Sequence, residues 1–489
     1  MSVGNILSKL FPRPSLSPSA ISPHIFPGVT PESTKTVRNV LEDNYKKHHI
    51  FFNDKRFHNH IIHRALAVWA LGGDAHVIQA GYDHDKSSQR PSYESPEPIT
   101  RDNFKDHLGD ENFYDGYLKY FVAELDQSSV GKVIEESVFS PAFNFAVENK
   151  FGEHPEMLSR FLDGLLHPMI HTGYGVEFDL PGTVAEGLAQ TAVHKASSTA
   201  IVPPTAFSAD SMPSDGSLSS RLYQMTFGSK NATAGKTSPH AFTTLARVLK
   251  DDKVKPGDPD AKSMYVAALE ESGEAIHKHV SEWAEFDPSD PEIVKRKVEE
   301  LQWVNVLFYA IPGFEAAENK EFKADFFTMH LVTSSLFLPS LIAPLSPASQ
   351  HLLLRSYFAS SLGWYIGRIG KKPLDIGRFF AADTATPALM PTPEKSAPNS
   401  LSAEASNPNP WLGIINQSIN HLDDHLCKIQ RALGHYSTLY GWRATEDSEF
   451  SATELEGAEK IDGTLFIRAA GLTAKRLARE QEGDGNPWD

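Results

Sequence analysis

Residues 301–311, Leu301-Gln302-Trp303-Val304-Asn305-Val306-Leu307-Phe308-Tyr309-Ala310-Ile311, are the nearest this chain comes to a β-strand. An apolar run of this length suits a buried helix as well as a strand. Elsewhere, Val/Ile/Thr runs with period-2 alternation are scarce, and no segment alternates strand, turn and helix as a doubly wound sheet requires. The fold class is therefore mainly α, a large single multi-helix domain with long irregular loops.

Outward from this stretch, the helical pattern recurs at 34–44, 102–125, 129–150, 154–166, 180–198, 216–226, 238–250, 261–284, 291–310, 321–338, 347–368, 411–433 and 465–481. A further helix is expected from an N-cap at Asn53 or Asp54 to Leu71, stopping at Gly72-Gly73. Residues 1–36 carry six prolines (12, 14, 18, 23, 27 and 31) and read as an extended arm. Residues 37–489 form the helical catalytic domain. Turn-forming residues at 202–215 and a Pro/Ser/Asn-rich stretch at 384–410 read as loops, the second as a flexible lid or insert.

The chain has 489 residues and a formal charge of −16, which argues against nucleic acid or an anionic membrane face as the main partner. Its one cysteine, Cys427, excludes an internal disulfide, a Cys-rich zinc module and an iron–sulfur cluster. The apolar run 331–345 is interrupted by Pro339 and Pro344 and falls short of the roughly 20 residues of a membrane helix. With no secretory h-region at the start, a soluble cytoplasmic protein is expected.

The chain contains 21 histidines, many of them in short groups. In Phe57-His58-Asn59-His60-Ile61-Ile62-His63, His60 and His63 share one side of a helix, and His58 falls on the stripe of Ile62, Leu66 and Trp69. In His167-Pro168-Met169-Ile170-His171, Pro168 suits the first helical position, and His171 then points the same way as His167. Glu186, Gln190 and His194 make one polar stripe on an Ala-rich helix, and His330 is embedded among Phe326, Phe327 and Leu331. His421 and His425 lie among acids and read as a surface pair or as groups that orient ligands. Buried imidazoles need partners. A metal would supply them; so would carbonyls and carboxylates, which leave the histidines purely structural.

Several chemistries are excluded by their signatures. There is no GxGxxG, no GxSxG and no HExxH, and Gly235-Lys236-Thr237 lacks the first glycine of a P-loop, Lys230 standing there. One Glu-x-x-His, Glu274 to His277, falls short of the two a ferritin-like dimetal site needs. What remains is a mononuclear site of histidines from several helices, suited to iron, copper, zinc or nickel.

The segments HHIFFNDKRFHNHIIHRALAVWALGG, HPMIHTGYGVEF with the following AEGLAQTAVH, DFFTMHLVTSSLFLPSL and HLCKIQRAL resemble the questin oxidase-like family of fungi, also described as Baeyer–Villiger oxidases of anthraquinone pathways. The resemblance implies an oxygenase of fungal secondary metabolism. Such an enzyme opens a ring of an anthraquinone-type aromatic polyketide with O2 at a histidine-bound non-haem Fe(2+), a dioxygenase in its simplest form. It also implies metal ligands drawn from His63, His171, His330 and His167, in that order. His58, His60 and His194 are then catalytic groups that touch substrate or orient the ligands. A carboxylated lysine would fall at Lys371 or Lys372, with Lys372 the candidate. The rival for both is a helix-end cation favoured by the dipole. Trp69, Phe326, Phe327, Trp364 and Tyr365 are candidate walls for a flat substrate, or core. Two other readings stay open: an NADPH-dependent Baeyer–Villiger monooxygenase, and a non-catalytic helical ligand-binding protein.

Overall fold

The helix at 301–311 settles the fold. It is part of a 25-residue helix, Pro291–Glu315, and every residue of the stretch is buried. A helix buried on all sides shows no amphipathic period, which is why its sequence reads ambiguously. The computed structural model describes residues 3–15, 19–207, 238–315, 322–382, 409–447, 449–478 and 488. Among these there are nineteen α-helices and no strand, only three isolated β-bridges. The expected helix at 216–226, most of the loop at 202–215, the loop at 384–410 up to residue 408, and residues 479–481 lie outside the described residues.

Thirteen helices carry the argument: α1 (Val3–Leu10), α2 (Pro31–Lys47), α3 (Ile61–Ala70), α4 (Ala75–Asp85), α5 (Tyr114–Gln127), α6 (Asp163–Glu177), α7 (Pro181–Val193), α8 (Met264–Trp283), α9 (Pro291–Glu315), α10 (Phe326–Ser335), α11 (Pro347–Ile369), α12 (Asp424–Tyr440) and α13 (Thr464–Ala478). Their starts follow local chemistry. Thr30 and Ser33 form a capping box ahead of Pro31, and Asp325, Ser346 and Asp423 accept backbone N–H groups at the starts of α10, α11 and α12. α6 packs along α7, α8 along α11, and α12 against α3, α10 and α13.

Part of the N-terminal arm departs from the expected extended form. Residues 3–10 precede its first proline and fold as α1, burying Leu7 and Leu10 beside Phe11. α3 stops where expected. Gly72 has φ +87°, and a Cβ there would meet Pro27 O at 2.4 Å.

Several other expected helices break: that at 129–150 is α-helical only over Val130–Ile134, that at 102–125 starts only at Tyr114, and three more break at the centre. The helix from Asn53 to Leu71 starts only at Ile61. Asn53 Oδ1 instead accepts the N–H groups of Lys55 and Phe57, Arg56 takes φ +62°, and Phe51 bridges to His58. The helix at 154–166 is cut to Met157–Phe161, because Gly164, Leu165 and Leu166 are left-handed (φ 55°, 57° and 65°) before a right-handed turn resumes with Pro168 in its first turn. The helix at 411–433 divides into Pro410–Asn420 and α12, with Asp423 capping the second part.

One ion pair ties α6 to α12. Arg431 meets both carboxylate oxygens of Glu177, Nη1 to Oε2 at 3.2 Å, and stacks over Tyr174 and Phe178 with both charged side chains almost wholly buried. Burial pushes the Glu177 carboxyl up, and Arg431 opposes that shift. Breaking such a pair leaves one buried charge alone, so Arg431→Leu is expected to lose about 3–5 kcal/mol of unfolding free energy. Glu177→Gln/Arg431→Met should recover most of it, read as the midpoint of urea denaturation.

Several buried histidines sit apart from the centre described below. His351 Nε2 donates to Ala284 O at 2.7 Å and His435 Nε2 to Ile21 O at 3.1 Å. Burial, the largest influence, lowers both to about 4 from 6.5. Below 6.5 the unfolded chain binds protons that the folded chain refuses. Stability from these two groups is therefore complete above 6.5 and is lost as pH falls toward 4. Denaturation curves at pH 7 and pH 5 should differ by on the order of 1 kcal/mol per histidine, with the lower stability at pH 5.

Candidate metal centre

Four imidazoles form a closed ring where the broken helices meet. His60 precedes α3, His167 opens the right-handed part of α6, and His330 and His425 lie on α10 and α12. Around the ring, centroids are 5.0 Å apart for His60–His167, 4.9 Å for His167–His330, 5.2 Å for His330–His425 and 4.8 Å for His425–His60. Imidazoles sharing one ion at about 2.1 Å would have centroids on the order of 4.5–5.3 Å apart, and among the described residues the donor atoms close enough to share one are those of His58, His60 and His167 and those of His60, Asp424 and His425.

The hydrogen bonds fix which nitrogen faces inward. His60 Nδ1 lies 2.7 Å from Asp424 Oδ2. His167 Nδ1 lies 2.6 Å from Gly164 O, and His330 Nδ1 lies 2.7 Å from Phe326 O. Each of these oxygens accepts only, so each Nδ1 carries the proton and each Nε2 is a bare lone pair. Yet His60 Nε2 stands 2.8 Å from His167 Nε2, while the Nε2 atoms of His330 and His425 are buried without a hydrogen-bond partner. Two bare lone pairs at that distance repel unless a cation lies between them. A proton is disfavoured, since burial lowers His60 to about 4 and holds His167 and His330 well below the usual imidazole range. The donor set fits a metal ion: His60, His167 and His330 are neutral imidazoles, each oriented by an oxygen behind it, whereas at His425 the carboxylates of Asp424 and Asp423 outweigh burial and raise the imidazole above its usual range.

Charged groups back the ring on one side. Asp424 faces His60, lies 3.2 Å from His425 Nδ1, and accepts from Lys428 Nζ at 2.9 Å. Burial alone would raise its carboxyl; His425, Lys428 and His60 outweigh that and hold it well below the carboxylate range. Lys428 is itself buried.

A second line of imidazoles flanks the ring. His58 stacks on His167 at 3.8 Å and 11°, and its Nε2 is 3.0 Å from His194 Nε2. His194 Nδ1 lies 3.0 Å from Asp163 Oδ2. The left-handed turn makes this possible: a Cβ on Gly164 would sit 2.3 Å from His194 Cε1, so only glycine admits the imidazole. Leu165 and Leu166 hold positive φ without that freedom, a local strain that the surrounding core sustains.

The structure thus brings His58, His60, His167, His194 and His330 together. His63 lies against the ring, 5.4 Å from His60 and 6.4 Å from His167 between centroids, and His171 lies behind it. His63 Nε2 faces His171 Nδ1 at 3.1 Å, His171 Nε2 is 3.5 Å from Glu186 Oε2, and Tyr174 stacks on His63. Lys372 is exposed beyond the end of α11, and Lys371 donates to Asp251 O at 2.6 Å, so neither is held by the histidines. Of the five aromatics, Phe326 touches the ring at His330 and His425. Trp69 packs on Phe178, Trp364 on Tyr265 and Phe327, and Tyr365 on Phe308. Sequence reasoning missed Asp163, Asp424 and Lys428 as site groups and read His425 as one of a surface pair or as a group that orients ligands. The spacing of Asp424, His425 and Lys428 was legible, but its burial was not.

Fold and site together define a helical protein built around a buried histidine centre. The chain belongs to the questin oxidase-like family, whose sequence model matches residues 57–433 and so spans all four ring histidines. It is 28% identical over 353 residues to a Baeyer–Villiger oxidase of Pestalotiopsis microspora, covering 70% of this chain and 72% of that one. A questin oxidase of Aspergillus terreus is 25% identical over 346 residues, 68% of each chain. A Baeyer–Villiger monooxygenase of Aspergillus aculeatus is 25% identical over 459 residues, 84% of this chain and 80% of that one. No helix among the described residues is long and apolar enough to cross a membrane.

If Asp424 fixes the tautomer of His60, Asp424→Asn should weaken binding of an added divalent ion on the order of 10–100-fold. Calorimetric titration of the metal-depleted protein with Zn2+ measures this. An unchanged affinity would remove Asp424 from the site.

Proposed function

We propose that this protein is an oxygenase that opens a ring of an anthraquinone-type aromatic polyketide with O2, using a non-haem iron held by the histidine ring. The observation that carries the reading is the pair of bare Nε2 atoms of His60 and His167, 2.8 Å apart. The questin oxidase and Baeyer–Villiger names of the relatives support the reaction class. In this reading His60, His167, His330 and His425 hold the iron. Iron bound there would supply Lewis acidity and one-electron exchange with O2.

The protein's own residues do the rest. Asp424 and the carbonyls of Gly164 and Phe326 keep each Nδ1 protonated and each Nε2 turned inward. Asp163 does the same for His194, whose Nε2 then accepts from His58 Nε2–H. That arrangement leaves His58 Nδ1 as the nitrogen open to accept a proton, with burial and the imidazoles of His194, His60 and His330 holding it well below the usual imidazole range. A phenolic hydroxyl placed there gives up its proton and makes the ring electron-rich, the general-base step the reaction needs. Phe326, against His330 and His425, offers an aromatic wall.

The relatives' names favour one rival, a Baeyer–Villiger monooxygenase, which in this reading would take NADPH as cosubstrate. The described residues include no strand–turn–helix unit to cradle a dinucleotide pyrophosphate, which weighs toward the reading without NADPH.

The test is metal content of protein purified without chelators, together with turnover of an anthraquinone under O2 with and without NADPH. Near-stoichiometric iron is expected, lost in His60→Ala and His330→Ala, with turnover that needs no reductant. Metal-free protein active only with NADPH would put the Baeyer–Villiger reading first.

A further inference from the structure

Trp488 is described apart from any helix and is nearly buried, at 5% exposure. Its indole Nε1–H donates to Asp423 Oδ2 at 3.0 Å. The other oxygen of Asp423 caps α12 by accepting the backbone N–H groups of His425 and Leu426, at 2.8 and 3.2 Å. The Trp488 ring lies 6.0 Å from that of His425 at 67°. Its backbone bridges in parallel to Ala324, next to Asp325, the cap of α10. One residue therefore joins the starts of the two helices that carry His330 and His425.

We propose that Trp488 is a positioning residue that seals the His425 side of the histidine ring against solvent. His425 is enclosed on its other sides by His60, Phe326 and His330, at 4.8, 5.1 and 5.2 Å between centroids. Its Nε2 is buried without a hydrogen-bond partner, while its Nδ1 faces Asp424 Oδ1 at 3.2 Å and Asp423 Oδ1 at 3.6 Å. Solvent is nonetheless close: Leu422, three residues before it, is 63% exposed, and the Asp423 and Asp424 side chains are each 20% exposed. An unpartnered Nε2 edge near open water would hydrate unless something apolar covered the ring. The indole is the large apolar group the structure lays there, and Asp423 holds it by its one polar atom. A seal of this kind keeps water from competing for the ring nitrogens and slows loss of whatever ion they hold. The second consequence rests on the iron reading above; the first does not.

The test uses the full chain with Trp488→Ala and Trp488→Phe. Labelling of His425 by diethyl pyrocarbonate is followed by peptide mass spectrometry, with buried His351 as the internal reference for folding. Loss of His425 shielding in Trp488→Ala should speed its labelling roughly tenfold or more, with His351 unchanged. Trp488→Phe keeps the apolar cover without the hydrogen bond and should label at a rate near wild type. Zn2+ loaded into the same proteins should be stripped by chelator faster from Trp488→Ala than from Trp488→Phe. Labelling of His425 within twofold of wild type in Trp488→Ala would overturn the proposal, as would parallel acceleration at His351. If no form, wild type included, retains Zn2+ or iron, the metal reading fails, and the labelling alone still decides the role of Trp488.

Discussion

Glu177 and Arg431 share an ion pair almost without access to water, and the geometry of the centre depends on it. The pair joins the end of α6 to the middle of α12. These helices carry His167 at the start of one and His425 at the start of the other. Tyr174, between them, stacks on His63 on one side and lies under the Arg431 guanidinium on the other. A buried bidentate pair tolerates little displacement, because each charge loses its only compensation when the other moves. It therefore sets the separation of two helices whose histidines must meet at close range.

Within that frame, four of the imidazoles are oriented from behind by an oxygen. The backing groups differ in kind: carboxylates for His60 and His194, backbone carbonyls for His167 and His330. The carbonyls come at no cost in charge. Gly164 O is presented by a left-handed turn, and Phe326 O is the i−4 carbonyl of an ordinary helix. The carboxylates carry charge into a half-buried place, where Lys428 pairs with Asp424 and the Nδ1–H groups of His60 and His194 donate to Asp424 and Asp163. The fold thus fixes nitrogen orientation before any ligand arrives, the general advantage of a preorganised site.

The helical class and most of the elements around the core were legible, since helical periodicity, Pro at first turns and Ser/Thr/Asp caps are local signals. The helices that failed to extend as expected include three at the centre: at 53–60, at 164–166 and at 421–423. In each, a tertiary contact outweighs local helix propensity. Arg56 and Asn53 close a turn that lets His58 stack on His167, Gly164 makes room for His194, and Asp423 restarts a helix so that His425 turns inward. Local rules failing at the functional centre is what selection for a site, rather than for a helix, produces.

The sequence by itself determined the mainly helical class, the family and the set of histidine-bearing segments, because these rest on composition, local periodicity and short motifs. It assembled most of the site's members, including His58, His60, His167, His194 and His330. Only the tertiary structure decided which imidazoles share one centre, that His425 and Lys428 stand with them, and that His63 lies against the ring with His171 behind it. Those facts depend on distances between segments more than 100 residues apart, as between His60 and His167. No local pattern encodes which nitrogen of a histidine will find an oxygen behind it and which will be left bare.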